Sequence, residues 1–244
     1  MSLIANAIHL WWADSRTCPR LVAADYHAWF TQAEQQALAQ KIPPVREQAL
    51  FTKCFLKSIL SRYVAQAPQE LLFDYNAYGK PCLVSRGLQF NLSHSDHYVV
   101  LAICRDVAVG IDIQTMRQKL TPLSIAKRFF HEREYSILKA LSAEAQRSHF
   151  YRLWSAKEAV LKAFGVGIGA TGLRDIVFKT ADDGSQEAGL VWQIDFAASS
   201  ALFHMVSLQE LFWLPNCAFS LATCQAALAP QVFQWQGPCD VSSF

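Results

Sequence analysis

Four short segments of the sequence carry side chains that could bind a divalent cation and phosphate oxygens. In GIDIQ, Asp112 and Gln114 occupy alternate positions of a predicted strand, so their side chains point to the same face. Glu158 lies further along, in LWSAKEAVLK. Two separated carboxylates with a neutral amide suit a hard cation that is bound through oxygen, keeps some water and shares phosphate ligands. Asp112, Gln114 and Glu158 are therefore candidate magnesium ligands.

The other two segments hold hydrogen-bond donors that suit phosphate oxygens. YGKP places Lys80 in an extended position before a proline, and FNLSHS offers Ser93 and His94 at the end of a predicted strand. Lysine, histidine and hydroxyl groups all donate to phosphate. A single histidine without neighbouring cysteines does not indicate zinc.

Each motif alone also has a simpler structural interpretation. D-x-Q is common on an edge strand with a solvated face. Lys157 falls within the apolar stripe of its predicted helix, where a lysine can extend its ammonium group to water. Glu158 and Lys162 are four residues apart, and such an ion pair can simply stabilise a helix by about 0.2–0.5 kcal/mol. The combination of motifs, and not one of them, favours a phosphate site.

The elements that must position these side chains follow from apolar periodicity. Helices are predicted over residues 46–67, 123–141 and 148–164. Between the first two, LQFNLSH, YVVLAIC and VAVGIDIQ predict an antiparallel meander, in which Gly110 would allow a close backbone approach. The segments DIVFK, LVWQIDF, FHMVSLQ and CAFSLATC predict four later strands. The order of elements predicts an α+β fold.

Two helical segments that are 100 residues apart indicate an internal duplication. WFTQAEQQAL and FFHEREYSIL share three of ten positions, although chance also produces such matches between amphipathic helices. A duplication would give two α+β halves that meet near residue 115, and such interfaces often hold a ligand cleft. The matching positions are Phe30 and Phe130, Glu34 and Glu134, and Leu38 and Leu138.

Composition limits the possible classes of protein. Of 244 residues, 52% are hydrophobic and 17% charged, and the net charge of +2 is too small for bulk binding of nucleic acid. No apolar run is long enough for a membrane helix, and the first residues do not resemble a secretion signal. The seven cysteines have no C-x-x-C spacing. We expect a globular cytoplasmic protein with free thiols.

The four motifs, in this order and spacing, resemble the signature of Sfp-type 4′-phosphopantetheinyl transferases. IAKRFFHEREY adds to the likeness, which is close over residues 75–170. The resemblance implies two similar, pseudo-repeated α+β halves, 1–114 and 115–244, in a monomer that binds coenzyme A between them. It also implies Mg²⁺-dependent transfer of 4′-phosphopantetheine to a serine of an apo acyl or peptidyl carrier protein, with release of adenosine 3′,5′-bisphosphate.

The resemblance also implies roles for individual residues. Asp112 and Glu158 would bind the metal. Many relatives have a glutamate at the position of Gln114, so this amide could bind the ion directly or through water. His94 and Lys162 are similar to residues that contact the phosphates of coenzyme A.

Lys80 and Ser93 are similar to groups near the 3′-phosphate. Glu134 matches a glutamate proposed as general base, although a helical glutamate could equally be a solvated surface residue. Lys157 would steady the site or assist proton transfer. The basic residues of the first helix, Arg46, Lys53 and Lys57, do not align with phosphate ligands and are left unassigned.

Carrier docking is expected at apolar and basic residues beside the cleft. At least one of the aromatic residues in this stretch is expected to belong to the core instead. The candidate residues are Met116, Leu120, Phe129 and Phe130.

Two other functions remain open at this point. One is a magnesium phosphotransferase or phosphodiesterase that acts on a nucleotide, and the other is a non-catalytic sensor of coenzyme A. The sequence does not identify the carrier, the pathway or the tolerance for acylated coenzyme A. No structure is predicted for residues 230–244.

Overall fold

The structure, a computed structural model, describes most of the chain. The described residues are 3, 7–19, 21, 26–84, 87–105, 107–167, 172–180, 192–194, 206–224 and 229–238. Within them lie five α-helices and eleven strands, numbered here in chain order. The helices are α1 (Gln32–Ala39), α2 (Pro43–Val64), α3 (Pro122–Phe129), α4 (Glu132–Ala140) and α5 (Ala143–Phe164). The strands are β1 (Ile8–Asp14), β2 (Phe73–Tyr75), β3 (Pro81–Leu83), β4 (Gln89–Ser95), β5 (Tyr98–Cys104), β6 (Val109–Thr115), β7 (Phe178–Thr180), β8 (Trp192–Ile194), β9 (Ser207–Glu210), β10 (Cys217–Thr223) and β11 (Pro230–Gln234).

Local sequence explains where the helices begin and end. α2 begins with Pro43 in its first turn, where the missing N–H is not needed. The prediction of one helix over 123–141 was wrong, because Phe130 and His131 are extended and His131 caps α4. α5 starts five residues earlier than predicted, because the Ser142 hydroxyl accepts a hydrogen bond from a backbone N–H of the first turn.

Two main sheets form the β layer. Their strand orders are β11-β1-β5-β4 and β6-β10-β9, and two small sheets pair β2 with β3 and β7 with β8. The antiparallel β4–β5 pair was predicted correctly. The assignment of β6 to the same meander was wrong, because β5 already has β1 and β4 on its two edges. β6 therefore pairs with β10 in the other sheet.

Side-chain hydrogen bonds join the two main sheets along β4 and β6, and we call this line of contacts the sheet seam. Every second residue of β4 provides an acceptor for a backbone N–H of β6. The paired positions increase together along both strands, so the strands run parallel. The pairs are Ile111 N–H to Asn91 Oδ1 at 2.8 Å, Ile113 N–H to Ser93 Oγ at 3.3 Å, and Thr115 N–H to Ser95 Oγ at 2.9 Å.

The later strands agree only in part with the prediction. β7 and β10 match DIVFK and CAFSLATC, whereas parts of LVWQIDF and FHMVSLQ lie outside the described residues. The segment without a predicted structure contains β11, which pairs in parallel with β1. The chain thus returns to its first strand to extend the first sheet.

The α+β class is confirmed, and each of the two helical segments with similar sequences contributes to a similar ion pair. α2 and α5 both have 22 residues and start 100 positions apart. Lys57 of α2 pairs with Glu34 at 3.1 Å, and Lys157 of α5 pairs with Glu134 at 2.8 Å. The boundary at residue 114 stays a prediction. The boundary lies within β6, which pairs with β10. β11, which follows the boundary in the sequence, pairs with β1 in the first sheet, so the two sheets do not divide at residue 114.

α5 packs directly on β6, and Gly110 permits the close approach. A Cβ atom at this position would lie 2.0 Å from the Ala159 carbonyl oxygen and 2.2 Å from the Ala163 nitrogen. Both are backbone atoms and cannot rotate away. The Ser155 hydroxyl of α5 also donates to the Asp112 carbonyl oxygen at 3.0 Å. Strand and helix are therefore fixed against each other where the candidate site residues lie.

We predict that Gly110→Ala will lower the free energy of unfolding by roughly 3 kcal/mol, at the upper end of typical overpacking costs, because two backbones must separate. Urea denaturation measures this change. Gly172→Ala is the control, since a Cβ there would meet only ordinary contacts at 3.6 Å or more and should change the free energy by less than about 0.5 kcal/mol. Equal effects of the two substitutions would contradict the close-packing account.

Candidate functional site

Asp112 is the buried centre of the candidate site. Its side chain has no exposed surface, and both carboxylate oxygens accept hydrogen bonds. Oδ1 accepts from the Ser93 hydroxyl at 3.0 Å and from Lys162 Nζ at 2.5 Å, and Oδ2 accepts from Gln114 Nε2 at 3.0 Å. The buried charge is thus compensated by a cation and two polar groups.

Glu158, which is on α5, lies beside Asp112 of β6. Its Oε1 accepts a hydrogen bond from Trp154 Nε1 at 2.8 Å, and its Oε2 lies 3.5 Å from Lys162 Nζ. Burial, followed by the Asp112 charge, raises the pKa of Glu158 to about 7. For Lys162, burial is outweighed by the Asp112 and Glu158 carboxylates, which raise its pKa. The structure therefore brings two carboxylates to one ammonium group.

This donor set fits a hard divalent cation. Two carboxylates that repel each other are stabilised when a cation binds between them, and the Gln114 amide can present its oxygen after rotation. Among the described residues, no three His, Cys, Asp or Glu side chains form a complete metal site. Asp112 and Glu158 thus suit a cation that takes its remaining ligands from water and substrate oxygens, as Mg²⁺ commonly does.

A groove of about 620 Å³ opens beside this cluster, and His94 lies between the two. His94 lines the groove, and its pKa is lowered by partial burial and then by the Lys162 charge. Lys41 and Lys53 also line the groove. Gln48 adds a buried Nε2 group without a hydrogen-bond partner in the described part of the chain. Lys53 already pairs with Glu34 at 2.9 Å, and Asp96 adds a carboxylate to the lining. The groove therefore offers Lys41, His94 and the Gln48 amide to an anionic ligand.

The Lys80 ammonium group is bonded to backbone carbonyl oxygens in the structure. Its Nζ donates to the carbonyl oxygens of Val109 at 3.0 Å, Lys162 at 2.7 Å and Ala163 at 3.2 Å. Burial lowers the pKa of Lys80 to about 8, so the group is mostly protonated at neutral pH. An ammonium group has three N–H donors, and all three are used here. The expected contact of Lys80 with a 3′-phosphate is not supported.

Glu134 and Lys157 form a buried ion pair and do not reach the cleft. Lys157 has no exposed surface and Glu134 is 2% exposed. Glu134 also accepts from the backbone N–H groups of His131 and Phe178, and Lys157 donates to the carbonyl oxygens of Leu173 and Ile176. These contacts hold α4 and α5 together. They do not favour the expected roles of general base and proton-transfer residue, nor a solvated position for Glu134.

A second recess, of about 330 Å³, is lined in part by Gln114. Arg117, Leu120, Ile125 and Trp154 contribute to its walls. Met116 and Phe129 are half-buried against the core, and Phe130 is 1% exposed. Phe130 stacks on Phe150 with ring centroids 5.3 Å apart. Phe130 is thus a core residue, in line with the expectation for at least one of these aromatics.

Three residues near the site were missed in the sequence. Lys41 and Gln48 of the groove were not singled out, and Trp154 was not recognised as the hydrogen-bond partner of Glu158. Only Trp154 left a usable signal, since it precedes Glu158 by four residues and an i, i+4 spacing brings side chains together on a helix. Lys41 lies before α2, and its position depends on the turn into that helix.

Comparisons with known proteins give a consistent result. Residues 108–214 match the model of the 4′-phosphopantetheinyl transferase superfamily. This stretch includes Asp112, Glu158 and Lys162, whereas Lys80, Ser93 and His94 precede it. The first described strand of the matched region is β6.

Individual relatives extend the similarity over almost the whole chain. The 4′-phosphopantetheinyl transferase HetI from Nostoc sp. is 31% identical over 97% of this chain and 92% of its own. The 4′-phosphopantetheinyl transferase Sfp from Bacillus subtilis is 37% identical over 50% of this chain and 53% of its own. A crystal structure of a Bacillus anthracis holo-(acyl-carrier-protein) synthase in complex with CoA (3′,5′-ADP) is 22% identical. It covers 48% of this chain and 95% of its own with a TM-score of 0.40, which is too low to add to the assignment.

We predict that Glu134→Gln will lower the free energy of unfolding by about 3–5 kcal/mol, because the Lys157 charge stays buried without its carboxylate. The exposed neighbour Glu132 provides the control, and Glu132→Gln should have little effect on denaturation curves. At a temperature where both variants are folded, turnover by Glu134→Gln should remain within about three-fold of the wild type. A loss of roughly 10²–10⁴-fold would instead indicate a general base.

Proposed function

The chain belongs to the 4′-phosphopantetheinyl transferase superfamily, and on this basis we propose that it transfers the 4′-phosphopantetheine moiety of coenzyme A to a serine of an apo carrier protein. The match to HetI over 97% of the chain carries this conclusion. The convergence of Asp112, Glu158 and Lys162 supports it with chemistry suited to a diphosphate. The products are the modified carrier and adenosine 3′,5′-bisphosphate.

Magnesium is the proposed metal, held by Asp112 and Glu158, with Gln114 either as a direct ligand through its amide oxygen or as a partner of a bound water. When bound, Mg²⁺ supplies positive charge to the diphosphate oxygens of the substrate. Lys162 would then move part of its bonding from the carboxylates to a phosphate oxygen. Its raised pKa keeps it protonated for this role.

Coenzyme A is proposed to lie along the groove, with its diphosphate at His94 and Lys162. His94 lines the groove and interacts electrostatically with Lys162 and Asp112. It therefore connects the groove with the charged cluster. Lys41, Lys53 and Gln48 would then face the nucleotide end. Ser93 is already bonded to Asp112 and Lys162, which favours a positioning role inside the cluster.

The proposed chemistry needs mainly orientation and charge compensation. The serine oxygen of the carrier attacks the phosphorus that bears pantetheine, and the bond from this phosphorus to the bridging oxygen breaks. Adenosine 3′,5′-bisphosphate leaves with that oxygen, and the serine proton passes to an acceptor in the cleft. Lys162 stabilises negative charge on the phosphoryl oxygens, while Trp154 restrains Glu158 through its indole N–H.

The carrier is proposed to enter from the side of the second recess. Arg117 and Leu120 lie on its wall, next to Gln114, and basic and apolar groups suit an acidic helical partner. The protein is proposed to act as a monomer, as the resemblance to Sfp-type transferases implies. Among the described residues, no helix is sufficiently long and apolar to cross a membrane. The six cysteines of the described ranges are free, and a cytoplasmic location is proposed.

The function is tested by mass spectrometry of apo carriers after incubation with the protein, coenzyme A and Mg²⁺. A carrier mass increased by one phosphopantetheine arm is the expected result, and a panel of acyl and peptidyl carriers would identify the substrate. Release of nucleotide without modified carrier would instead indicate a phosphodiesterase. Binding of coenzyme A without turnover would indicate a sensor.

We predict that Glu158→Ala will abolish transfer because one of two proposed metal ligands is lost. Initial rates of transfer should be measured over a range of Mg²⁺ concentrations. At limiting Mg²⁺, the rate of the variant should stay near zero. Glu144→Ala is the matched control on the same helix, since Glu144 is exposed in its first turn, and should retain wild-type rates. Near-normal activity of Glu158→Ala at limiting Mg²⁺ would refute the metal assignment.

We predict that Lys162→Ala will mainly lower kcat, by about 10²-fold or more, because charge stabilisation in the transition state is lost. Steady-state kinetics with coenzyme A as the varied substrate separates kcat from KM. A rise in KM alone would show that Lys162 serves ground-state binding only.

A further inference from the structure

The end of α5 and the start of β6 are held together by the YGKP loop. Lys80 Nζ bonds to Val109, the first residue of β6, and to Lys162 and Ala163 in the last turn of α5. Carbonyl groups in the last turn of a helix have no partner within it, and a cation there also interacts favourably with the helix dipole. One side chain thus connects the two elements that carry the site.

A second contact from the same loop acts on the residue that ends α5. Asn76 Nδ2 donates to the Gly165 carbonyl oxygen at 2.6 Å, while Asn76 Oδ1 accepts from the backbone N–H groups of Tyr78 and Lys80. Gly165 has a left-handed backbone with φ of 66°. A Cβ atom at this position would lie 2.7 Å from Asn76 Nδ2 and 3.1 Å from Lys80 Cδ. The loop therefore packs tightly on the helix terminus.

These contacts bear directly on the geometry of the site. Val109 is three residues before Asp112 on β6, and Lys162 provides both a carbonyl oxygen for Lys80 and the ammonium group that bonds Asp112 at 2.5 Å. A shift of the last turn of α5 would move Lys162 Nζ relative to Asp112. The distance between these groups thus depends on the Lys80 contact.

We propose that Lys80 is a positioning residue, which aligns Lys162 with Asp112 by tying the C-terminal turn of α5 to the start of β6. It does not bind a phosphate of the substrate, because its three N–H donors already have carbonyl partners. This inference rests on the proposed function. Transfer by the wild-type protein tests that function separately.

The test compares Lys80→Met with the wild type by using coenzyme A and 3′-dephospho-coenzyme A as substrates. We expect kcat to fall at least ten-fold, while the ratio of kcat/KM for the two substrates stays unchanged. A collapse of this ratio with unchanged kcat would show that Lys80 is a phosphate ligand. An unchanged kcat with an unchanged ratio would also overturn the proposal. If the wild type fails to modify any carrier, the proposed function fails first.

Lys80→Arg separates the two roles even if Lys80→Met does not fold. Arginine is a good phosphate ligand, but its planar fork does not match three carbonyl oxygens around one ammonium nitrogen. A positioning role therefore predicts a lower kcat with an unchanged ratio of kcat/KM for the two substrates. A phosphate-binding role predicts nearly wild-type kinetics.

Hydrogen exchange provides a readout that is independent of activity. The amides of Gly165 and Val166 donate to the Lys162 and Leu161 carbonyl oxygens at the end of α5. In Lys80→Met they should exchange at least ten-fold faster, because the last turn opens more often. Lys57→Met is the control, since it removes a buried lysine of the first half that lies outside the site. Lys57→Met should lower the free energy of unfolding without changing kcat or the exchange rates of these two amides. Equally fast exchange in both variants would indicate general destabilisation and would overturn the proposal.

Discussion

The sheet seam is the constraint on which the candidate site depends. The Ser93 hydroxyl accepts from the Ile113 N–H, donates to Asp112 and accepts from Lys162, so one oxygen links both sheets and the charged cluster. Side chains alternate along a strand, and a slip of one residue would place Leu92 or His94 opposite β6. The spacing of polar residues in FNLSHS thus sets the register between the two main sheets and the surroundings of the buried carboxylate.

The two halves share a scaffold but not its chemistry. Each has a 22-residue helix with a buried lysine paired to a glutamate near an aromatic ring, with Lys57 over Phe30 and Lys157 over Phe130. At the positions of Glu158 and Lys162, the first half has Ser58 and Arg62. Buried ion pairs are costly unless both partners remain, which explains why the pairs occur together. In the described part of the chain, the carboxylate cluster forms at α5, where Glu158 and Lys162 meet Asp112 of β6.

Local patterns predicted the parts of the molecule that depend on neighbouring residues. The β4–β5 hairpin and the helical character of α5 followed from periodicity. The convergence of Asp112 with Glu158 was implied by the resemblance of the four motifs. The pairing of β6 with β10 and of β11 with β1 involves residues more than 100 positions apart, which no local pattern reveals. The environments of Lys80 and Glu134 also required the structure, because a motif shows which side chain is present but not which partners have already taken its hydrogen bonds.

The return of β11 to β1 affects how the chain matures on the ribosome. β1 is synthesised about 220 residues before the strand that covers its outer edge, and this edge includes Trp11, on which Phe233 stacks at 4.9 Å. Until β11 has been synthesised, the nascent chain carries an unpaired aromatic strand edge of the kind that promotes aggregation. A chaperone that shields this edge would therefore protect the nascent chain from aggregation until β11 is available to pair with β1.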